Sequence, residues 1–181
     1  METFIALCAR ELAAELADDY RIVLYGPTRG RKKILHGGQK NYLDRLKNQI
    51  CPRSAGSVRF TVALPHKEVS ELYRRAAICI LPSLWKEPFG IPAVEAMAAG
   101  VPVVASNRGG FAETVQTGLT GLLVPPGDSG EIVRAAERIL SDTDLHRGMS
   151  LESQRRARTF SWKNVGAEAR ALYRIIMGRG R

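Results

Sequence analysis

Short apolar runs of strand length alternate with stretches of helical period along nearly the whole chain, and this alternation restricts the fold more than any other feature. The strand candidates are RIVLY (Arg21 to Tyr25), VRFTV (Val58 to Val62), AICILP (Ala77 to Pro82), VPVVAS (Val101 to Ser106) and GLLV (Gly121 to Val124). Amphipathic segments such as Val69, Leu72, Tyr73 and Ala76 lie between them. Strand followed repeatedly by helix predicts stacked βα units around a parallel sheet, an α/β architecture. AICILP is almost purely apolar, as expected of a strand covered on both faces.

Local punctuation fixes where the elements end. Phe4, Ile5, Leu7, Cys8, Leu12 and Leu16 predict a helix ahead of RIVLY, and Gly26 and Pro27 stop that strand before a basic, Gly-containing loop to Gly38. Tyr42, Leu43, Leu46 and Ile50 form a second helical stripe ended by Pro52. Pro92 and Gly100 bracket a short helix, and Gly109 and Gly110 open a turn and half-helix to Val115. After PPGD, Asp128 or Ser129 can cap a helix to about Leu140, and Asp142 or Asp144 another through Arg158. Ser161 and Trp162 open a last helix with Val165, Leu172, Ile175 and Ile176 on one side. With neither repeats nor a linker, residues 1–181 are expected to form one domain.

The chain carries 27 Lys and Arg against 18 Asp and Glu, a formal charge of +9, which raises the question of nucleic acid. Its clusters, Arg29 to Lys33, Arg155, Arg156 and Arg158, and Arg179 with Arg181, contain no interleaved aromatics and no zinc-ligand pattern. They read as solvated charge or as contacts to phosphate or an anionic membrane surface, and no nucleic-acid partner is expected. Cys8, Cys51 and Cys79 are odd in number, widely spaced and without a leader ahead of them, which fits a reducing cytosol. His36, His66 and His146 have no ligand-spaced partner, so neither a metal site nor a catalytic base is expected there.

The chemistry concentrates between Pro82 and Glu113, in PSLWKEPFGIPAVEAMAAGVPVVASNRGGFAE. A buried parallel strand ends at Pro82, a loop rises from its carboxyl edge, and a helix starts near Pro92. Ligands of open α/β sheets sit at that edge. A helix start presents unpaired N–H groups and the positive end of its dipole, and Gly90 allows the backbone close to an anion, so a phosphate is the natural guest. Glu87 and Glu95 flank this turn. An acid there opposes phosphate but accepts hydrogen bonds from sugar hydroxyls, and a nucleotide sugar would satisfy amides and carboxylates together. The alternative is a plain loop acid at Glu87 and a first-turn dipole partner at Glu95. Trp85 either lines this site or packs, and Arg108 is the basic residue of these loops with reach to a phosphate.

EPFGIPAVEAMAAGVPVVAS followed by GGFAETV resembles the signature of the GT-B retaining glycosyltransferases of family 4, in which two glutamates separated by seven residues span the donor site. VRFTVALPHKEVSELYRRA upstream, and GLTGLLVPPGD with the closing FSW and ALY downstream, extend the resemblance over nearly the whole chain. It implies the donor-binding half of such an enzyme, a Rossmann-like doubly wound parallel sheet with C-terminal helices. By position, Glu87 would bind hydroxyls of the transferred hexose, the backbone around Phe89, Gly90 and Ile91 would hold sugar and phosphates, and Glu95 would accept the ribose hydroxyls. The loop near Ala63 and Leu64 would contact the base. The donor would be a UDP-, GDP- or ADP-sugar, without metal or other cofactor. The acceptor would be a cell-surface, exopolysaccharide or lipid-linked glycan. Retention implies front-face substitution, with the leaving diphosphate taking the acceptor's proton. The place of action would be the cytoplasm, with peripheral contact at the inner membrane face.

The chain departs from the family pattern in places. Val62 stands where a glycine is common, and Ala77 where a small acid is usual. METFIALCAREL aligns with the first helix of the family's C-terminal domain, so the strand and Gly-Lys turn that normally precede it, and the whole N-terminal acceptor domain, are expected to be absent. The missing turn would carry the Arg and Lys that clamp the diphosphate, and no residue here inherits those roles. RIVLY and VPVVAS are then expected to flank a gap in the sheet. The chain alone should be marginally folded unless an acceptor-domain partner or another element fills that gap; a cooperative melt at high temperature by a monodisperse monomer would contradict this. The alternative function is a truncated, non-catalytic nucleotide-binding or protein-interaction domain.

Overall fold

The computed structural model describes residues 22–25, 47, 48, 50, 52–61 and 64–178. The expected helix over Phe4 to Leu16, most of the Tyr42 to Ile50 stripe, the Arg29 to Lys33 loop and Arg179 and Arg181 lie outside them. The strands are β1 (Ile22–Tyr25), β2 (Val58–Thr61), β3 (Cys79–Leu81), β4 (Val103–Ser106) and β5 (Gly121–Val124). The helices are α1 (His66–Arg75), α2 (Ile91–Ala98), α3 (Phe111–Thr114), α4 (Ser129–Ser141), α5 (Thr143–Thr159) and α6 (Trp162–Gly178), with a 3₁₀ turn over Pro52–Ser57. The fold is α/β, with parallel strands and C-terminal helices.

Every ladder is parallel. β3, β4 and β5 form one sheet in that order, Ile80 opposite Val104 and Val104 opposite Leu122, and β1 pairs with β2 in a second. VPVVAS therefore flanks no gap: β4 is the central strand of its sheet, because successive crossovers lay β3 and β5 against its two sides. Among the described residues no ladder joins the two sheets, and β3 ends its sheet on one side. That edge position explains a second difference, since Cys79, Ile80 and Leu81 are half-buried rather than fully covered.

The sheet's period of two sorts its side chains between two cores. Val104, Leu122 and Val124 pack with Ile132, Ala136 and Ile139 of α4 and Met149 of α5. Val103 and Ala105 point the other way, to Ala93, Ala96 and Met97 of α2, Phe111 and Ala157, with Cys79, Leu81 and Leu123 at the margin. Capping sets the helix boundaries. The Asp128 carboxylate accepts from the Glu131 N–H at 2.9 Å, and that of Asp142 from the Leu145 N–H at 2.9 Å. α2 closes with the Val101 N–H on the Ala96 carbonyl and the Gly100 N–H on that of Met97, a Schellman ending.

α6 starts at Trp162, as the sequence predicts, but buries none of its residues: Leu172, Ile175 and Ile176 are each more than half exposed. Among the described residues, no helix is long and apolar enough to cross a membrane.

Candidate functional site

The segment after β3 meets the segment after β4 at the carboxyl edge of the β3–β4–β5 sheet. Past Pro82 the chain turns at Ser83, whose N–H returns to the Leu81 carbonyl at 3.0 Å, and reaches Trp85 and Glu87. The Trp85 indole N–H donates to the Glu87 carboxylate at 3.2 Å, so Trp85 orients the acid even though its own ring is half exposed. The Glu87 backbone forms a parallel bridge with Gly109, and its carbonyl accepts from the Gly110 N–H at 2.6 Å. The EPFG turn from the β3 loop is thereby stitched to the GGFAET turn that follows β4.

Two glycines permit that stitching. Gly90, the N-cap of α2, sits at φ 91°, in the left-handed region that side chains avoid. Gly110 has an ordinary φ of −61° but passes so close to Phe89 that a Cβ would strike the Phe89 Cα and carbonyl carbon. The Thr114 hydroxyl, fully buried, donates to the Gly110 carbonyl at 3.0 Å and secures the second turn from within.

α2 begins at this junction without a side-chain cap, with Pro92 in its opening turn and no acid there. Pro92 has no N–H, and those of Ala93 and Val94 already donate to the Gly90 carbonyl at 2.9 and 3.3 Å, which leaves the Ile91 N–H of this turn to meet an anion. Glu95 lies beyond the first turn, so partnership with the helix dipole does not explain it. Its half-buried carboxylate meets Nε2 of His66 at 3.4 Å, an ion pair when the imidazole is protonated.

His66 is the first residue of α1, and its contact with Glu95 spans 29 residues of sequence, a separation that local spacing does not report. Leu64, two residues earlier, is half-buried, and Ala63 lies outside the described residues. The segment after β2 and the α2 acid are thus brought together through His66. Phe89 and Ile91 are both exposed at the helix start, and exposed Arg108 precedes the Gly109 turn.

Among the described residues, no group of three or more His, Cys, Asp or Glu side chains is placed to hold a metal ion. A shallow hollow of about 330 Å³ by Leu119, Met149, Leu151 and Arg155 contains none of the sequence-predicted site residues. The basic cluster on α5 is largely committed within the chain. Arg155 pairs with Glu152 at 2.6 Å, and Arg156 donates to the Glu113 carbonyl at 2.7 Å. Arg134 with Glu131 and Arg74 with Glu71 likewise pair along their own helices. Arg155 and Arg156 thus have partners within the chain while the Arg155 side chain remains solvent-exposed, in keeping with solvated surface charge.

Cys79 lies beneath this site at the start of β3. Burial pushes its thiol from 9.0 up to about 12, and the Glu95 carboxylate adds to the rise. The thiol stays neutral in the fold while that of an unfolded chain ionises near 9.0, so this contribution to stability is intact below pH 9.0 and declines from there to about 12. Peptide-mapped alkylation with iodoacetamide at pH 8.5 should label Cys79 in urea and spare it in the native protein. Equal labelling in both states would contradict the burial described here.

The family model for glycosyl transferases group 1 matches residues 4–156. The D-inositol 3-phosphate glycosyltransferase of Corynebacterium jeikeium is 37% identical over 142 residues, covering 77% of this chain and 32% of that protein. Sucrose-phosphate synthase from Thermosynechococcus elongatus superposes with a TM-score of 0.75 at 29% identity, over 95% of this chain and 43% of that one. HepE of Anabaena, in complex with UDP and glucose, superposes with a TM-score of 0.66 at 28% identity, over 82% of this chain and 39% of that one. The chain spans about a third of the length of the curated relatives it matches, 36% for an uncharacterized glycosyltransferase of Methanocaldococcus jannaschii. With the family model spanning most of its length and the two stitched turns at the sheet edge, this chain belongs to the glycosyl transferases group 1 family.

Proposed function

We propose that the surface at the junction of the EPFG and GGFAET turns binds a nucleotide-diphosphate hexose, UDP-, GDP- or ADP-linked, for retaining transfer of family 4 type. The observation that carries this reading is the uncapped start of α2 with Glu87 fixed before it and Glu95 one turn beyond it. The HepE neighbour in complex with UDP and glucose supports a nucleotide-sugar donor. Glu87 binds hexose hydroxyls, the backbone at Phe89, Gly90 and Ile91 meets sugar and phosphates, Glu95 takes the ribose, and the base is the expected contact of Ala63 and Leu64. Helix amides, with Arg108 in reach, offset the charge that builds on the leaving diphosphate. That diphosphate takes the acceptor's proton in a front-face substitution, so the glutamates position rather than exchange protons. No metal is required.

The whole activity is a transfer to a cell-surface, exopolysaccharide or lipid-linked glycan, carried out in the cytoplasm with contact at the anionic inner membrane face. It joins this donor-binding domain, residues 1–181, to an acceptor domain in a longer chain or a partner. Glu87→Ala separates the roles. Isothermal calorimetry should find the bare nucleotide bound within about twofold of the parent, and the nucleotide sugar weakened about tenfold, the scale of one lost charged hydrogen bond. Equal affinity of parent and variant for the nucleotide sugar would remove Glu87 from the site.

A further inference from the structure

The end of α5 reaches both the EPFG and the GGFAET turn at once. Phe160, which follows its last residue, meets Phe89 edge to face, with ring centroids 5.6 Å apart and planes at 85°. Arg156, one helical turn earlier, lies over the Phe160 ring, its guanidinium carbon 4.8 Å from the ring centroid. The same guanidinium donates through Nη2 to the Glu113 carbonyl at 2.7 Å and through Nε to the Thr114 carbonyl at 3.4 Å. Those carbonyls close the four-residue α3, which has no further turn of its own to satisfy them.

Phe89 belongs to the EPFG turn, and Glu113 and Thr114 to the GGFAET turn. A single pair four residues apart, at the end of α5 and on its C-cap, therefore contacts both turns that meet at the Phe89–Gly110 backbone contact. Neither residue is among those assigned to the ligand. The guanidinium is suited to this work because its plane stacks on a ring while its edge donates to two carbonyls, a combination the point charge of lysine does not reproduce.

We propose that Arg156 and Phe160 are positioning residues: they clasp the EPFG turn to the GGFAET turn and so fix the geometry of the nucleotide-binding site. The inference rests on the donor-site reading for its effect on ligand, but the clasp itself has a signature that needs no ligand. The Trp85 indole N–H, held on Glu87 in the EPFG turn, reports the position of that turn.

The test compares ¹H–¹⁵N spectra of the 181-residue chain with those of Arg156→Ala, Arg156→Lys, Phe160→Leu and Phe160→Tyr. Arg156→Ala, Arg156→Lys and Phe160→Leu should displace the Trp85 indole resonance and the amides of residues 87–90 and 109–114, while those of β5 and α4 stay in place. Phe160→Tyr, which keeps the ring, should restore the parent positions. Affinity for UDP, GDP or ADP, whichever the parent binds, should fall about tenfold in the first three variants and recover with tyrosine. Arg156→Lys keeps charge and stem, so it remains informative should Arg156→Ala or Phe160→Leu fail to fold.

Unmoved resonances of the two turns in folded Arg156→Lys and Phe160→Leu would overturn the clasp. Displaced resonances with unchanged nucleotide affinity would overturn the part of the proposal in which the clasp fixes the nucleotide site. A parent that binds none of the three nucleotides would sink the donor-site reading instead, and the resonances alone would then decide whether the clasp exists.

Discussion

If Glu95 takes the ribose as proposed, Glu95→Ala is expected to lower the affinity of the chain for its nucleotide by about tenfold to a hundredfold, the cost of one charged hydrogen-bonding acceptor. The fold should be nearly indifferent to the change. Glu95 keeps about a third of its side chain exposed, and its ion-pair partner among the described residues is His66, which is itself four-fifths exposed. Pairs of that kind contribute little to stability. Calorimetric titration with UDP, GDP and ADP measures the first effect and urea unfolding the second, where a shift under about 0.5 kcal/mol is expected. His66→Gln supplies the control. It removes the imidazole and leaves the carboxylate, so affinity should hold within about twofold if the ribose, and not His66, is the partner that matters. A Glu95→Ala protein that binds as tightly as the parent would place the ribose elsewhere.

Gly110→Ala should do the reverse and damage fold and site together. The glycine's dihedrals suit alanine, so the penalty is steric rather than conformational. The new methyl meets backbone atoms of Phe89, which cannot rotate away as the end of a side chain can. Relief requires the two turns to separate, which breaks the 2.6 Å hydrogen bond from Gly110 to Glu87 and the neighbouring bridge to Gly109. Overpacking at a buried backbone contact and loss of that bond together should cost about 3 kcal/mol, with nucleotide affinity falling more than about tenfold. Gly148→Ala is the matched control. Gly148 lies inside α5 and an added Cβ would meet nothing within 4 Å, so alanine should stabilise by about 0.5–1 kcal/mol. Urea unfolding of the two variants side by side separates a crowded glycine from a merely flexible one.

These expectations show where the sequence was readable. Asp128 and Asp142 announce their helices because an N-cap is a local device, satisfied three residues away. Gly100 ends α2, and each of the five apolar runs contains a strand, for the same local reason. The start of α2 is legible in the residues that flank it, since a strand end, a glycine and a proline in succession are enough to place a helix start.

Long-range partners left no such mark. Arg156 read as one member of a basic cluster, yet its acceptors are main-chain carbonyls 42 and 43 residues away, which no pattern of side chains encodes. The contact of His66 with Glu95 is of the same kind, since it joins two different helices 29 residues apart. Strand order was misjudged at VPVVAS because apolar composition reports burial and not which neighbours a strand takes. The α6 stripe was correctly expected as a helix, but periodicity does not say whether a stripe is covered.

The central claim is that the nucleotide of the donor sits at the junction of the EPFG and GGFAET turns. Chemical-shift mapping of the ¹⁵N-labelled chain, titrated with UDP, GDP and ADP in turn, tests it most directly. At least one nucleotide should give saturable shifts concentrated on the amides of Glu87–Glu95, other than prolines, and Gly109–Phe111, with the Trp85 indole moving alongside. Shifts centred instead on the α5 arginines or the hollow beside Leu119, or no saturable response to any of the three, would contradict the account.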